Sequence, residues 1–384
     1  MKSGINIGAG YKLIPGAVEK FPASRMSGGN DMELGVYSFG DVQRDPRTGA
    51  LGSTAEAQRN LLEAIQLADQ VGLDYFGIGE HHTREMPASA ASVVLGAAAA
   101  TTTNITLGSA VTVLSTDDPV RVFQQFATLD ALSNGRAEIT AGRGSSTESF
   151  PLFGHSLNDY DELYAEKLDL LLKLNESEEI TWEGRFRPAL DHALVVPRPE
   201  RGKLPIWLAT GGNPSSTVRA AMAGLPVSYA IIGGEAVRFA PLAALYRKAV
   251  EQVNLPGADT RISVASPGFI GDDAQTAKDF WWTHYHEAFR ALGEIRGFPA
   301  PRRAGYDVEA NGRGALFVGS PEEIAARIVD LHGVMGHDRH FFQMDLGQVP
   351  QKDFLHSIEL LGTRVKPLVD AALAKPAAAP AAAV

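Results

Sequence analysis

Residues 33–79 read ELGVYSFGDVQRDPRTGALGSTAEAQRNLLEAIQLADQVGLDYFGIG and contain the first strand, the first helix and the second strand of a repeating pattern. Leu34–Phe39 and Tyr75–Gly79 are short apolar runs of β type. Between them, Ser53–Glu56 has the spacing of a capping box, apolar residues follow at helical intervals, and Gly72 ends the pattern. The stretch therefore predicts one βα unit followed by the strand of the next.

The same alternation recurs along the chain, and eight apolar runs are interpreted as strands. They are Leu34–Phe39, Tyr75–Gly79, Ile105–Leu114, Arg136–Ala141, Ile206–Ala209, Val227–Ile232, Ile262–Ile270 and His340–Leu346. Eight βα units close a barrel, so the sequence predicts one α/β domain over residues 32–372, a single (β/α)₈ TIM-like barrel. A doubly wound open sheet ranks second, because no Gly-rich dinucleotide fingerprint follows the first strand.

Several local signals complete the predicted architecture. Asp118 and Pro119 start a helix as N-cap and first-turn proline, and Ser320–Glu323 combines a cap, a proline and a capping box. Ile180–Val196 alternates like an inserted hairpin, and Gly293–Gly314 has no period and predicts a long surface loop before the last strand. The residues predicted to face inward on the helix after Asp118 are Phe123, Phe126, Leu129 and Leu132.

The composition favours a globular protein that acts on small molecules. Of the 384 residues, 45% are hydrophobic and 21% are charged, as in ordinary globular domains. The formal net charge is −10 and Lys and Arg do not cluster, which argues against nucleic acid or an anionic membrane surface as a partner. The chain has no cysteine, which excludes disulfides, thiolate metal sites and cysteine nucleophiles and suits a cytoplasmic enzyme.

Two terminal segments are predicted to lie outside the barrel. Residues 1–31 lack a sustained period and the charged-then-apolar order of a signal peptide, and are interpreted as an N-terminal extension. Residues 373–384 form a low-complexity tail that ends AKPAAAPAAAV. The longest apolar stretch, around Ala88–Ala100, is too short to cross a bilayer, so no membrane span is predicted.

The loop after the second strand is the first candidate for an active site, because barrel enzymes place theirs at the carboxyl ends of the strands. It reads Gly79-Glu80-His81-His82. His81 is predicted to be catalytic, because an imidazole titrates near neutral pH and can take or return a proton. His82 is interpreted as a hydrogen-bonded rim residue. No metal site is predicted, because adjacent histidines in extended backbone point in opposite directions.

Three other strand ends have suggestive composition. After the fifth strand, residues 211–217 read GGNPSST and open a helix, which suits a phosphate but is also ordinary helix-capping chemistry. After the fourth strand, Arg143 lies between two glycines, where it either binds a phosphate through two N–H groups or is a surface arginine in a turn. At the end of the third strand, Ala110 and Val111 are small enough to let a flat ring approach, although small residues also serve plain packing.

In this order, these segments resemble the bacterial luciferase-like family of flavin monooxygenases, and the resemblance spans Leu34–Val369. Four motifs in register carry it. They are GEHH at 79–82, SAVTVLSTDDPVR at 109–121, SNGRAEITAGRGS at 133–145 and FVGSPEEIAARI at 317–328.

The resemblance implies reduced FMN in the mouth of the barrel. It places the ring against Ala110 and Val111, across a non-prolyl cis peptide bond between them, and it matches His81 to the family's catalytic histidine. The phosphate is expected at Arg143 and at the loop after the fifth strand. The cofactor-binding residues expected in that loop are Gly211, Gly212, Asn213, Ser215, Ser216 and Thr217.

The resemblance also implies the reaction and its partners. Molecular oxygen would oxidise a small organic substrate, with reducing equivalents from NAD(P)H directly or through a separate flavin reductase, and the protein would form a homodimer. Phe39 and Gln343 are predicted to line the substrate pocket, and a mobile lid would correspond to Gly293–Gly314. The luciferases carry a cysteine where this chain has Gly142, so light emission is not expected.

Three alternatives stay open at this point. The first is hydride transfer without oxygen, with FMN or a deazaflavin as cofactor. The second is a flavin-binding protein without catalysis, against which the presence of His81 argues. The third is a metal-dependent barrel hydrolase that uses His81 and His82.

Overall fold

A computed structural model describes residues 32–45, 47–144 and 146–374, apart from the side chains of 295 and 296. The predicted N-terminal extension (1–31) and nearly all of the predicted tail lie outside the described residues. The strands are β1 Glu33–Ser38, β2 Tyr75–Ile78, β3 Thr106–Ser109, β4 Thr112–Val113, β5 Ala137–Gly142, β6 Glu179–Trp182, β7 Leu190–Leu194, β8 Ile206–Thr210, β9 Val227–Ala230, β10 Ile262–Ile270, β11 Phe317–Gly319 and β12 Arg339–Gln343.

Helices follow the strands and cover the outside of the sheet. They are α1 Thr54–Gln70, α2 Ala91–Ala99, α3 Pro119–Leu132, α4 Ser149–Leu152, α5 Tyr160–Glu176, α6 Pro214–Met222, α7 Ala240–Val253, α8 Ala274–Arg296, α9 Arg303–Glu309, α10 Pro321–Met335, α11 Gln351–Leu360 and α12 Lys366–Leu373. A π-helical turn, Leu361–Val365, joins the last two. Within the described part of the chain, none of these helices is both long and apolar enough to cross a membrane.

Eight of the described strands run parallel and close into a ring, in the order β1, β2, β3, β5, β8, β9, β10, β12. The ring closes because β12 pairs with β1, with Arg339 opposite Glu33 in register. This confirms the predicted (β/α)₈ barrel over the open sheet. The predicted hairpin insertion is also confirmed, since β6 and β7 pair antiparallel outside the ring.

The predicted third strand is divided in two. β3 ends at Ser109, and the short strand β4 continues after it and pairs with β5. The peptide bond between Ala110 and Val111, which separates β3 from β4, is cis, as the resemblance implied.

The helix caps agree with the sequence in two places and disagree in one. The Asp118 side chain accepts a hydrogen bond from Val120 N at 2.9 Å, and Ser320 Oγ accepts one from Glu323 N at 3.3 Å. Ser53 is the N-cap of α1 but its side chain makes no cap hydrogen bond, so the predicted capping box there is wrong. That end of α1 is exposed, and solvent can satisfy its N–H groups.

The prediction that Leu132 faces inward is also wrong. Phe123 is fully buried, whereas Leu132 is 61% exposed. Leu132 comes nine residues after Phe123, and at about 100° per residue it lies half a turn away from Phe123 around the helix. Residues spaced three apart therefore move gradually off the buried face. Asp130 takes the inward position instead, and its carboxylate accepts a hydrogen bond from Glu200 N at 2.8 Å.

The segment Gly293–Gly314 is not an aperiodic loop as predicted. It contains the end of α8 and the whole of α9. Contacts with α8 hold α9 in place: Arg303 bonds the Asp279 carboxylate, and the buried Tyr306 donates its hydroxyl to the Lys278 carbonyl at 2.8 Å. A short helix fixed by contacts with another helix leaves no strong local pattern, which is why periodicity missed it.

The amino end of the barrel is closed by charged and aromatic side chains. Arg339 forms two hydrogen bonds with Glu138, at 2.7 and 3.3 Å, and a third with Glu33 at 2.6 Å. Its guanidinium lies 4.4 Å from the Tyr75 ring centroid and 4.8 Å from that of Trp207. Burial lowers the pKa of Arg339, but Glu138 and Glu33 outweigh burial and raise it. This end is therefore filled, and small molecules must enter from the carboxyl end.

Candidate active site at the carboxyl end of the barrel

His81 lies in the loop directly after β2, at the carboxyl end of the barrel. Its side chain is only 10% exposed, and Nδ1 lies 2.8 Å from Glu148 Oε1. The Phe39 ring packs edge-on against the imidazole, with 4.5 Å between ring centroids. Phe39 follows β1 and Glu148 follows β5, so residues from three strand ends fix one imidazole.

Sequence reasoning missed Glu148. Burial would raise the pKa of its carboxyl, but hydrogen bonds from the His81 side chain and from backbone N–H groups outweigh burial and lower that pKa below its ordinary value. The group is therefore an anion next to the imidazole at neutral pH. The only local signal in the sequence was an acidic residue shortly after the Gly142-Arg143-Gly144 turn, and this signal does not indicate which residue the acid would contact.

His82 is held by different groups. Its Nε2 lies 2.9 Å from Glu80 Oε1, and Glu80 Oε2 accepts a hydrogen bond from Val113 N at 2.8 Å. The Phe153 ring packs against the His82 ring, with centroids 5.1 Å apart. His82 is thus a hydrogen-bonded rim residue, as predicted, and it helps tie the end of β2 to β4.

Ala110 and Val111 lie against glycines that leave no room for a side chain. A Cβ on Gly77 would lie 2.7 Å from Ala110 Cβ, and one on Gly79 would lie 2.8 Å from the Ala110 carbonyl oxygen. A Cβ on Gly142 would lie 2.5 Å from Val111 Cγ2. Contacts this short force neighbouring atoms to move, so glycine is required at all three positions. Val111 occupies the space in which the luciferases' cysteine side chain would begin.

Arg143 and the helix after β8 meet, as the phosphate prediction requires. Arg143 Nη2 lies 3.4 Å from Ser216 Oγ, in the first turn of α6. The other end of the guanidinium bonds Asp161 Oδ1 at 2.5 Å, a contact that the sequence did not predict. Asp161 is 75% exposed in its side chain, so this ion pair is open to solvent.

The loop before α6 has the conformation of a capped helix start. Asn213 Oδ1 accepts hydrogen bonds from Ser215 N at 2.9 Å and from Ser215 Oγ at 2.8 Å. Gly212 has φ +105, where a side chain would be strained, and a Cβ on Gly211 would meet nothing within 4 Å. Thr217 is fully buried and donates its hydroxyl to the Asn213 carbonyl at 3.3 Å, so its hydroxyl supports the loop from inside.

Gln343 is buried at the carboxyl end of β12 with an unused donor. It shares the inward face of that strand with Phe341, which packs with Tyr37 and Tyr75 in the barrel interior. Only 5% of Gln343 is exposed, and its Nε2 has no hydrogen-bond partner within the described residues. A buried unpaired N–H costs roughly 1–3 kcal/mol, which an acceptor atom on a ligand would recover.

Two carboxyl groups, on Asp41 and Asp345, lie close to Ser38 at the end of β1. Asp345, after β12, accepts a short hydrogen bond from Ser38 Oγ. Burial raises the pKa of Asp345, and burial together with Asp345 raises the pKa of Asp41. The pair therefore retains a proton that exposed aspartates would have lost. Sequence reasoning did not single out either residue.

The described residues contain no group of three or more His, Asp and Glu side chains arranged to hold a metal ion. His81 and His82 each pair with a separate carboxylate, on Glu148 and Glu80. The two imidazoles therefore do not form one ligand set in this structure.

A model of the luciferase-like monooxygenase family matches residues 32–338 of this chain. A luciferase-like monooxygenase of Escherichia coli strain K12 is 30% identical over 261 residues, which are 65% of this chain and 72% of that protein. An F420-dependent glucose-6-phosphate dehydrogenase of Beutenbergia cavernae is 37% identical over 177 residues, which are 44% of this chain and 51% of that protein.

A solved structure shares the fold. It is the oxygenating constituent of 3,6-diketocamphane monooxygenase from Pseudomonas putida, a type II Baeyer–Villiger monooxygenase in complex with FMN. The TM-score is 0.69 at 18% identity, over 88% of this chain and 98% of that chain. The match of the family model over most of the barrel decides the assignment: this chain belongs to the luciferase-like monooxygenase family of oxidoreductases.

Proposed function

We propose that this protein is a flavin-dependent monooxygenase that uses reduced FMN and molecular oxygen to oxidise a small organic substrate. The proposal rests on the contact between Arg143 and Ser216 at the start of α6, which lies at the same end of the barrel as His81. On this proposal, one end of the barrel would carry both an anion site and a proton-transfer group. The FMN in the related diketocamphane monooxygenase supports the choice of flavin.

The residues present fit FMN in two respects. A guanidinium, a serine hydroxyl and the amino end of a helix are the donors that a phosphate requires. The buried, unpaired Nε2 of Gln343 needs an acceptor, and a flavin ring or an oxygenated substrate offers several. Arg143, Ser215 and Ser216 would hold the phosphate, and Ala110 and Val111 would lie against the ring.

When bound, reduced FMN would supply the electrons that activate oxygen, and the residues of this chain would hold the cofactor and shield it. Phe39 packs against His81 and limits access of water to that imidazole. His81 holds or moves a proton at the mouth. Reducing equivalents would come from NAD(P)H, directly or through a separate flavin reductase, and we propose a homodimer as the working assembly.

A second candidate is hydride transfer without oxygen. It is favoured by one observation, the 37% identity to an F420-dependent glucose-6-phosphate dehydrogenase over 177 residues. The barrel, the anion site and the mouth histidine serve either reaction, so the cofactor that binds decides between them.

Binding of FMN and F420, each oxidised and then reduced under anaerobic conditions, tests the proposal by calorimetry. We expect FMN to bind, and Arg143→Ala to weaken binding roughly ten- to hundredfold, the effect of losing charge-assisted hydrogen bonds of about 1.5–3 kcal/mol. Arg364→Ala is the matched control, because Arg364 also forms an exposed ion pair, with Glu322 at 3.0 Å, and neither residue is assigned to the phosphate site. Binding of F420 but not FMN would favour the second candidate, and binding unaffected by Arg143→Ala would remove the phosphate site.

A further inference from the structure

The contact between His81 and Glu148 determines which nitrogen of the imidazole carries the proton. Glu148 Oε1 lies 2.8 Å from Nδ1, and Glu148 is ionised at neutral pH because its pKa is lowered. An ionised carboxylate can only accept hydrogen bonds. Nδ1 must therefore donate, and in the neutral ring Nε2 is left with a lone pair.

The rest of the environment leaves Nε2 free to react. Within the described residues, no side chain or backbone group is hydrogen-bonded to Nε2 of His81. The edge-on contact with Phe39 restricts rotation of the ring, so Nε2 keeps one direction. The Glu148 carboxylate, 2.8 Å from Nδ1, also stabilises the imidazolium that forms when Nε2 takes a proton.

The neighbouring histidine has the opposite arrangement. His82 uses Nε2 for its carboxylate, and that carboxylate, on Glu80, is also bonded to the backbone of Val113. Glu80 therefore has a structural partner besides the histidine. Glu148 precedes α4, is partly exposed, and has His81 as its side-chain partner. Both carboxylates also accept backbone hydrogen bonds, so the two pairs differ in which ring nitrogen faces the carboxylate: Nδ1 in His81 and Nε2 in His82.

We propose that Glu148 is the positioning residue of this site: it holds the proton of His81 on Nδ1, so that Nε2 takes a proton from a donor at the barrel mouth and returns it. The step forms an N–H bond at Nε2 and breaks the donor's O–H or N–H bond, and Glu148 stays ionised throughout. The catalytic role of His81 rests on the proposed function, whereas the tautomer follows from the contact itself.

The tautomer can be measured without any cofactor. In protein labelled with ¹⁵N-histidine, at about pH 9, where an ordinary imidazole is neutral, two-bond ¹H–¹⁵N spectra distinguish Nδ1–H from Nε2–H rings. We expect the His81 signal, assigned through its loss in His81→Asn, to show Nδ1–H. Glu148→Ala should shift it towards Nε2–H. Glu148→Gln should keep Nδ1–H, because the amide oxygen accepts the same bond.

Turnover provides the second measurement. We expect Glu148→Ala to lower kcat at least tenfold with little change in KM or in FMN affinity, and Glu148→Gln to recover part of the loss. The matched control is Glu179→Ala on the hairpin, which removes the same kind of contact, from His192 Nδ1 to Glu179 Oε1 at 2.7 Å. It should change neither the His81 spectrum nor kcat.

Two results would overturn the proposal: a His81 tautomer that is the same in Glu148→Ala as in the native protein, or full turnover in that variant. Thermal melting of each variant shows whether the barrel is intact, and Glu148→Gln tests the charge even where alanine unfolds the loop. Failure of the native protein to bind FMN is a different result. It would refute the proposed function and leave the tautomer assignment in place.

Discussion

Acidification from about pH 8 to about pH 5 should destabilise this barrel through His337. His337 is fully buried after α10, and neither of its ring nitrogens has a partner within the described residues. Burial, assisted by the neighbouring His332 and Arg247, lowers the pKa of His337 to about 3. The folded protein therefore keeps this imidazole neutral at pH values where the unfolded chain binds a proton.

The size of the effect follows from the two pKa values. An unfolded histidine has a pKa of about 6.5, so between pH 6.5 and 3 the unfolded state carries one more proton than the folded state. His337 does not reduce the free energy of unfolding above about pH 6.5, and the reduction grows as the pH falls from 6.5 towards 3. At pH 5 the linkage relation gives a loss of about 2 kcal/mol relative to pH 8.

Denaturant unfolding of native protein and His337→Phe at both pH values isolates this contribution. Phenylalanine keeps an aromatic ring beside His340, whose ring centroid lies 5.2 Å away, and cannot titrate. The loss between pH 8 and pH 5 should be about 2 kcal/mol smaller in the variant, whatever its stability at pH 8. His192→Asn, at an exposed histidine, is the control and should behave as native protein. Equal losses in native protein and His337→Phe would refute the reasoning.

Two further substitutions test the mouth of the barrel. Asp161→Asn releases Arg143 from an exposed ion pair that stabilises the protein by at most about 1 kcal/mol. FMN affinity, measured by calorimetry, should therefore rise by up to about fivefold. A loss of affinity would show that Asp161 orients the arginine instead. Gly142→Ala places a Cβ 2.5 Å from Val111 Cγ2, so it should lower the free energy of unfolding in denaturant by about 1–3 kcal/mol and weaken FMN binding. Gly96→Ala is the control, because its Cβ would have nothing within 4 Å, and it should do neither.

The fold could be predicted because its signals are local. Each barrel strand is a short apolar run, and caps such as Asp118 and Ser320 mark where helices start. Where the sequence failed, contacts with distant residues decide the structure. Helix α9 depends on the Tyr306–Lys278 contact, and the inward position at the end of α3 belongs to Asp130 because Glu200 N and Ala137 N need an acceptor.

The candidate site could also be predicted only in part. Motifs that lie within a few residues, such as the loop at His81 and the turn at Arg143, were visible in the sequence. Their acidic partners were not, because Glu148 lies 67 residues from His81 and Asp161 lies 18 residues from Arg143. Folding makes both pairs: it brings the loop after β2 to the loop after β5, and it places the start of α5 beside the turn at Arg143.

The charged cluster at the amino end of the barrel has a consequence for engineering. Arg339, Glu138 and Glu33 lie at the opposite end from every residue proposed to touch a ligand. Breaking such a buried pair costs roughly 3–5 kcal/mol, so a mutant library should leave these three positions unchanged. Loops at the mouth can then be randomised or exchanged between relatives to search for new substrates, while the contacts at the opposite end continue to stabilise the barrel.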